Sequence, residues 1–224
     1  MTSTIKPLLK ELTAYDNVNV IDVGAARGSF MEELAHVFVD AGLGDTEIYS
    51  IGIDPIHREA EEKYDTFIRA CVDNVESPRE EDLYIHDNDD QANSLCISML
   101  EDGGTGELYP ADSRRKVWVL NLNSVIDSHW WVFSDSGEKV IHFLKIDAEG
   151  KDLDIVESLS EENLKRIKYI SLECKNGEPR YDGDRDIDEC IEYMKSIGFD
   201  VSFRWDAHNN SQLSDVVFVN REEL

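Results

Sequence analysis

Apolar positions change rhythm within the first forty residues of the chain. Val18, Val20, Ile21 and Val23 make a nearly continuous apolar run, followed by the glycines Gly24 and Gly28. The spacing then lengthens to Phe30, Met31, Leu34, Val37 and Phe38, one face of a helix. This predicts a buried strand over 18–23, a glycine turn and a helix over 29–41. A ligand can approach bare backbone in such a turn, at a helix N-terminus, and that geometry suits nucleotides.

The alternation continues with a strand over 47–53, a short helix over 57–63 and a strand over 66–72, a βαβαβ half. The middle is less regular. Residues 83–86 and 95–98 read as short strands, and Gly103, Gly104, Gly106 and Pro110 mark an exposed loop before a strand over 117–120. That loop, 101–116, is the expected variable segment that selects a substrate. Order returns with a strand over 140–146, a helix over 153–159, a strand over 169–173 and a helix over 187–197 stopped by Gly198. Ile187, Cys190, Ile191 and Met194 give that last helix a core face. Strands over 201–205 and 215–220 follow, joined by a link too short for a crossover helix, so they are expected to form a hairpin. The whole, 1–224, reads as one α/β domain preceded by an amphipathic helix within 1–17.

Charge narrows the partners. The 224 residues carry 48 acidic against 22 basic side chains, a net charge of -26, with a local acidic peak over 79–90. Such a surface repels phosphate backbones and anionic membranes, which excludes general nucleic-acid binding. No run approaches membrane-spanning length and the first residues do not form a charged-then-apolar leader, so a soluble cytoplasmic protein is expected. Cys71, Cys96, Cys174 and Cys190 form no C-x-x-C and read as core thiols. Structural metal is not expected.

The glycine spacing discriminates between nucleotides. A dinucleotide fingerprint needs glycine at position 26, which is Ala26, and no Lys-Ser or Lys-Thr follows Gly28 as a phosphate loop would require. Asp54 ends the second strand, where a carboxylate can accept hydrogen bonds from both hydroxyls of a ribose. A second strand–turn–helix occurs at FLKIDAEGKDLD, residues 143–154. There Lys145 and Asp147 share one strand face, and Glu149 and Gly150 occupy the turn. Glu173 ends the following strand at the same edge.

The second segment resembles the K-I-D-x-E-G-x-E signature of the FkbM family of S-adenosylmethionine (SAM)-dependent methyltransferases. The resemblance extends to VNVIDVGAARGSF, to Asn93-Ser94-Leu95, to Leu122-Asn123-Ser124-Val125 and to the closing DVVFVN, and so spans Val18 to Asn220. It implies a class I methyltransferase fold, Rossmann-like: a three-layer α/β sandwich with a mostly parallel seven-stranded sheet and an antiparallel C-terminal strand. It also implies SAM as cofactor and O-methylation of a hydroxyl on a small molecule or sugar. Asp22, Gly24, Ala25, Arg27, Gly28, Asp54, Asp73 and Asp147 are then the expected cofactor contacts, with Asp73 near the adenine and Arg27 near the cofactor carboxylate.

Lys145, Asp147, Glu149 and Glu173 are the expected catalytic set, one of the carboxylates acting as base. Lys145 has three readings: neutralising Asp147, holding substrate, or deprotonating the acceptor if burial lowers its pKa. Asp147 and Glu173 loosely resemble the carboxylate pair of magnesium-dependent catechol-type methyltransferases, but without a clear third ligand. His129, Trp130 and Trp131 read as a cavity wall or as core, and His142 as packing. The chain departs from the family at Asn123, where Asp is usual, and at Lys151-Asp152, which replace a small residue and Glu; the latter change is expected to be silent on an exposed helix start. A catalytically inactive SAM-fold binding protein and an NAD(P)-binding oxidoreductase are the competing readings. The intact motif residues oppose the first, and Ala26 with the terminal hairpin opposes the second.

Overall fold

The apolar run at Asn17–Val23 becomes β1, an interior strand of the main sheet, with Val18, Val20 and Ile21 fully buried. The computed structural model describes residues 12, 15–56, 59–85, 95, 114–136, 139–176, 184–206 and 213–222. Gly28 starts α1 (Ser29–Asp40), whose face of Phe30, Met31, Leu34, Val37 and Phe38 is buried as the spacing predicts. Phe30 stacks on Phe143 with ring centroids 5.5 Å apart, which fastens α1 to the sheet. Then come β2 (Glu47–Ile53), β3 (Thr66–Ile68), β4 (Cys71–Val72), β5 (Arg79–Tyr84), β6 (Arg114–Leu120), α2 (Leu122–His129) and β7 (Ile141–Ile146). The C-terminal part adds α3 (Asp152–Glu157), α4 (Glu161–Arg166), β8 (Ile167–Lys175), α5 (Ile187–Ser196), β9 (Phe199–Asp206) and β10 (Leu213–Asn220).

The main sheet has seven strands in the order β3-β2-β1-β7-β8-β10-β9. Its pairings are parallel except for the two made by β10, which is antiparallel to both β8 and β9. This is the expected architecture, including the terminal hairpin. One apolar cluster packs each face: Ile21, Leu144, Ile146, Ile170 and Leu172 on one side, Val20, Phe143, Tyr169 and Val217 on the other. Just before the first residue pair of β1 and β7, Asn19 donates its backbone N–H to Nδ1 of the fully buried His142 at 2.9 Å, and Tyr15 meets that imidazole edge-on. His142 is packing, as expected. Burial, then the Lys168 charge, lowers it to about 4.

Several expected elements differ. The strand over 66–72 breaks after Ile68: its first part joins the main sheet, while β4 pairs with β6 in a separate three-stranded sheet, β4-β6-β5. β5 begins at Arg79 inside the acidic run, because Asp82 ion-pairs with Lys116 across β6 and Arg114 lies over Tyr84. Residues 114–116 of the expected variable loop therefore belong to β6, and the rest of it, with the strand over 95–98 apart from Leu95, lies outside the described residues. The helix expected over 57–63 is a single 3-10 turn at Glu61–Lys63, with 57 and 58 outside the described residues. The helix expected within 1–17 also lies mostly outside them, although Leu12 is buried and Asn17 already belongs to β1. Cys71, Cys174 and Cys190 are free thiols. Among the described residues no helix is long and apolar enough to cross a membrane.

Candidate functional site

Strand register brings the singled-out residues to one edge. Gly52, Asp22, Lys145, Ser171 and Val217 are successive partners across β2, β1, β7, β8 and β10, so they face one way. Two residues further towards the carboxyl edge stand Asp54, Gly24, Asp147 and Glu173, with Asp215 of the reversed β10 directly opposite Glu173. A row of carboxylates thus crosses the sheet just above a row containing Lys145.

The first turn is made of backbone. Ile53 O accepts from Gly24 N at 2.9 Å and from Ala25 N at 3.1 Å, and Gly28 N donates to Ala25 O at 2.7 Å. Gly24, Ala26 and Gly28 all take positive φ, of 75, 44 and 74°. A Cβ on Gly24 would lie 1.8 Å from the carbonyl oxygen of Asp147, so this glycine lets β1 touch β7 at the edge. Ala26 donates its N–H to Asp54 Oδ2 at 3.0 Å, and Ile56 N donates to Oδ1 at 2.8 Å. Asp54 is buried beside the turn. Ala25 is buried, whereas Arg27 is exposed, 3.7 Å from Glu59.

Asp22 lies beneath the edge, fully buried. Its Oδ2 accepts the Tyr64 hydroxyl at 2.5 Å, and its Oδ1 is 3.4 Å from Lys145 Nζ. Gly52 leaves the room that the Tyr64 ring occupies. The sequence marks Asp22 as a cofactor contact; the structure buries it beneath the edge, with Lys145 between it and Asp147. Burial raises its carboxyl, against the lowering pull of Lys145 and the Tyr64 hydrogen bond. Lys145 bridges down to Asp22 and up to Asp147, 3.1 Å away. Burial alone would lower its ammonium, but Asp147 and Asp22 together outweigh burial and hold it raised. Lys145 is therefore a fixed cation, which removes the reading that made it a base through a lowered pKa.

The second turn is made of side chains. Asp147 donates its N–H to Val23 O at 3.0 Å and keeps its carboxylate 40% exposed. Glu149 takes φ 49° and Gly150 φ 96°, which swings the Glu149 carboxylate back over the edge. The oxygens of Asp147, Glu149 and Glu173 then lie within 4.8 Å of one another, close enough to share one cation. Glu149 is the third carboxylate that spacing alone did not place beside the other two. Asp215, in the same row, is raised to about 6 by burial first and then by Asp147.

Lys151 and Asp152 are not silent. Lys151 reaches Asp73 at 3.4 Å and Asp154 at 3.2 Å, tying the end of β4 to α3. Asp73 also caps its own turn, accepting from Asn74 N at 2.7 Å. Asp152 is buried, accepting from Ala148 N and from Glu173 N, both at 3.3 Å. Burial, then Asp147 and Glu149, raise its carboxyl well above the ordinary range. Asn123 joins three segments, since its amide donates to Ser158 O at 2.7 Å and its Oδ1 accepts from Ser160 N at 2.8 Å and Asn163 Nδ2 at 3.0 Å. A carboxylate could not donate to Ser158, which explains Asn at that position. Of the HWW cluster, Trp130 packs on Phe133 and under Arg166, His129 Nδ1 is 3.1 Å from Val125 O, and Trp131 is exposed. Sequence reasoning missed Tyr64, Asp152 and Asp215, each of which has a partner on a distant strand: Asp22, Glu173 and Glu173.

Comparison with known proteins adds a family. The methyltransferase FkbM domain matches residues 22–201 of the chain. No curated protein matches. Among solved structures, a TehB-like SAM-dependent methyltransferase from Corynebacterium glutamicum is similar over 96% of this chain and 86% of its own, at 9% identity and TM-score 0.44. The mitomycin 7-O-methyltransferase is 13% identical over 91% of this chain and 49% of its own, with TM-score 0.43. A Burkholderia thailandensis 1,6-didemethyltoxoflavin-N1-methyltransferase, solved with bound 1,6-didemethyltoxoflavin and S-adenosylhomocysteine, is 10% identical over 97% of this chain and 76% of its own, with TM-score 0.42. At these TM-scores the three likenesses carry no argument of their own.

Proposed function

The chain belongs to the methyltransferase FkbM domain family, and from that premise we propose that it transfers a methyl group from SAM to a hydroxyl of a small molecule or sugar. The observation that carries this reading is the single edge on which the glycine turn meets the carboxylates of Asp54, Asp147, Glu149 and Glu173. The donor set fits the family's cofactor, because SAM presents hydroxyls, an amino group and an ammonium, and the edge presents acceptors on successive strand ends. Asp54 would take the ribose hydroxyls, Asp73 the adenine amino group and Asp147 the ammonium. Gly24, Ala25 and Gly28 would line the backbone wall, with Arg27 at its rim for the carboxylate.

When bound, SAM supplies an electrophilic methyl group on a sulfonium, which leaves alignment and proton removal to the chain. Glu149 and Glu173 are the proposed bases, since both stand beside Asp147 at the edge. Lys145 holds Asp147 in place as a fixed cation. An acidic surface favours a neutral acceptor over a nucleic acid.

Calorimetry with S-adenosylhomocysteine (SAH) and NAD tests the reading. SAH binding that Asp54→Ala weakens, with no NAD binding, supports it; absent SAH affinity overturns it. Transfer of tritiated methyl to an acceptor found by screening hydroxyl compounds should fall about a hundredfold in Glu149→Gln, with SAH affinity retained.

A further inference from the structure

We infer that Asp152 is a positioning residue: one buried carboxylate that fastens the Ala148 turn to the end of β8 and so sets Asp147, Glu149 and Glu173 against the cofactor turn. The ladder between β7 and β8 ends at the pair Ile146 and Leu172. Beyond that pair, where the site begins, Asp152 provides the link. Its Oδ2 accepts from Ala148 N, between Asp147 and Glu149, and its Oδ1 accepts from Glu173 N, both at 3.3 Å.

The location is costly for an acid. Asp152 is 7% exposed and stands among the carboxylates of Asp147 and Glu149, where like charge and burial both disfavour ionisation. The two hydrogen bonds that its oxygens accept from backbone N–H groups offset part of that cost. Its influence also reaches the first turn. The Asp147 carbonyl sits where a Cβ of Gly24 would be, so a shift of the Ala148 turn is transmitted to Gly24. Asp152 joins both amides from α3, reaching back four residues to Ala148, and a Glu, usual here in the family signature, would offer the same pair of acceptor oxygens.

The test uses Asp152→Asn, which keeps the shape but places an N–H donor against one of the two amides, and Asp152→Glu, which keeps both acceptors. The clamp itself is read without ligand, by backbone amide hydrogen exchange. Ala148 and Glu173 should lose protection about tenfold in Asp152→Asn and regain it in Asp152→Glu. Positioning is read by SAH calorimetry, an arm that rests on the proposed function: affinity should fall about tenfold in Asp152→Asn and recover in Asp152→Glu. Asn123→Ala, which breaks the Ser158–Ser160 connection away from the edge, should lower the melting temperature and leave SAH affinity unchanged. Unchanged protection at both amides overturns the clamp. Lost protection with wild-type SAH affinity overturns positioning. A wild-type protein that binds no SAH overturns the methyl-donor reading instead, and the amide arm still decides the clamp.

Discussion

The two strand–turn–helix corners at the carboxyl edge solve one geometric problem with different materials. At the β1–α1 corner, three positive-φ residues and a set of backbone hydrogen bonds make the bend, and no side chain caps the helix. At the β7–α3 corner, a short helix of six residues is held by carboxylates: Asp152 on two amides and Asp147 on Lys145. The backbone corner leaves a smooth wall for a ligand to lie on. The side-chain corner places charge at fixed points, at the expense of Glu149 held at φ 49°. One corner is suited to holding a cofactor, the other to acting on what it carries.

The corners touch at Gly24 and Asp147, and breaking that contact should have the largest effect. Gly24→Ala puts a methyl group into the Asp147 carbonyl and forces Ala into φ 75°, so unfolding free energy in urea should fall by about 4 kcal/mol. Gly28→Ala, whose new Cβ meets only the movable Lys63 side chain, should cost about 1 kcal/mol. Equal losses would show that the contact does not distinguish the two glycines.

Lys145→Met leaves Asp22 buried without its cation and should cost about 3 kcal/mol at neutral pH. The sign of its pH response is diagnostic. Asp22 has a raised folded-state pKa, so in the variant the folded protein takes up the proton first, and its stability should rise on acidification towards the unfolded value of 3.8. A urea midpoint that falls steadily as the pH is lowered would contradict this.

Glu149→Gly removes the strain of the side-chain corner and should stabilise the fold by about 1 kcal/mol while abolishing most methyl transfer. A loss of stability instead would mean that Glu149 contributes more through its contacts than it costs through its backbone.

The smallest effect lies at the opposite end of β7. His142 is neutral in the fold, with its pKa lowered from 6.5 to about 4, so its contribution is complete above 6.5 and is lost as pH falls towards 4. By about pH 6 the loss should be below about 1 kcal/mol and should vanish in His142→Asn, whose Oδ1 can still accept from Asn19. An acid response that persists in this variant would come from the carboxylate edge.

This contrast explains which parts are legible in the sequence. The backbone corner is written in glycines, and the strands beside it are long enough to show periodicity, so β1, α1 and β2 fall within a residue of expectation. The terminal hairpin follows from a link too short to cross over. The side-chain corner is legible only as residue types. Lys145, Asp147, Glu149 and Glu173 do reach one edge, but Asp152 reads as exposed because its partners, Ala148 and Glu173, become neighbours only after β7 and β8 pair. Asp215 is hidden for the same reason, since only the antiparallel register sets it opposite Glu173. The small sheet escapes because β4 has two residues, and because the charges of β5 find their counterions on a strand some thirty positions away. α4 has six residues and too little apolar face to show a period.

The place of β10 also sets an order of assembly. Within the main sheet β9 bonds only to β10, and β10 is the strand that follows it in the chain. During synthesis β8 therefore presents an open, apolar-flanked border until β10 emerges and slots between two strands made before it. The first three strands wait as well, because β1 meets β7 only after some 123 residues have intervened. Closure of this sheet is a late and long-range event, slow by its topology, and a nascent chain of this protein passes through a stage in which both borders are available to other chains.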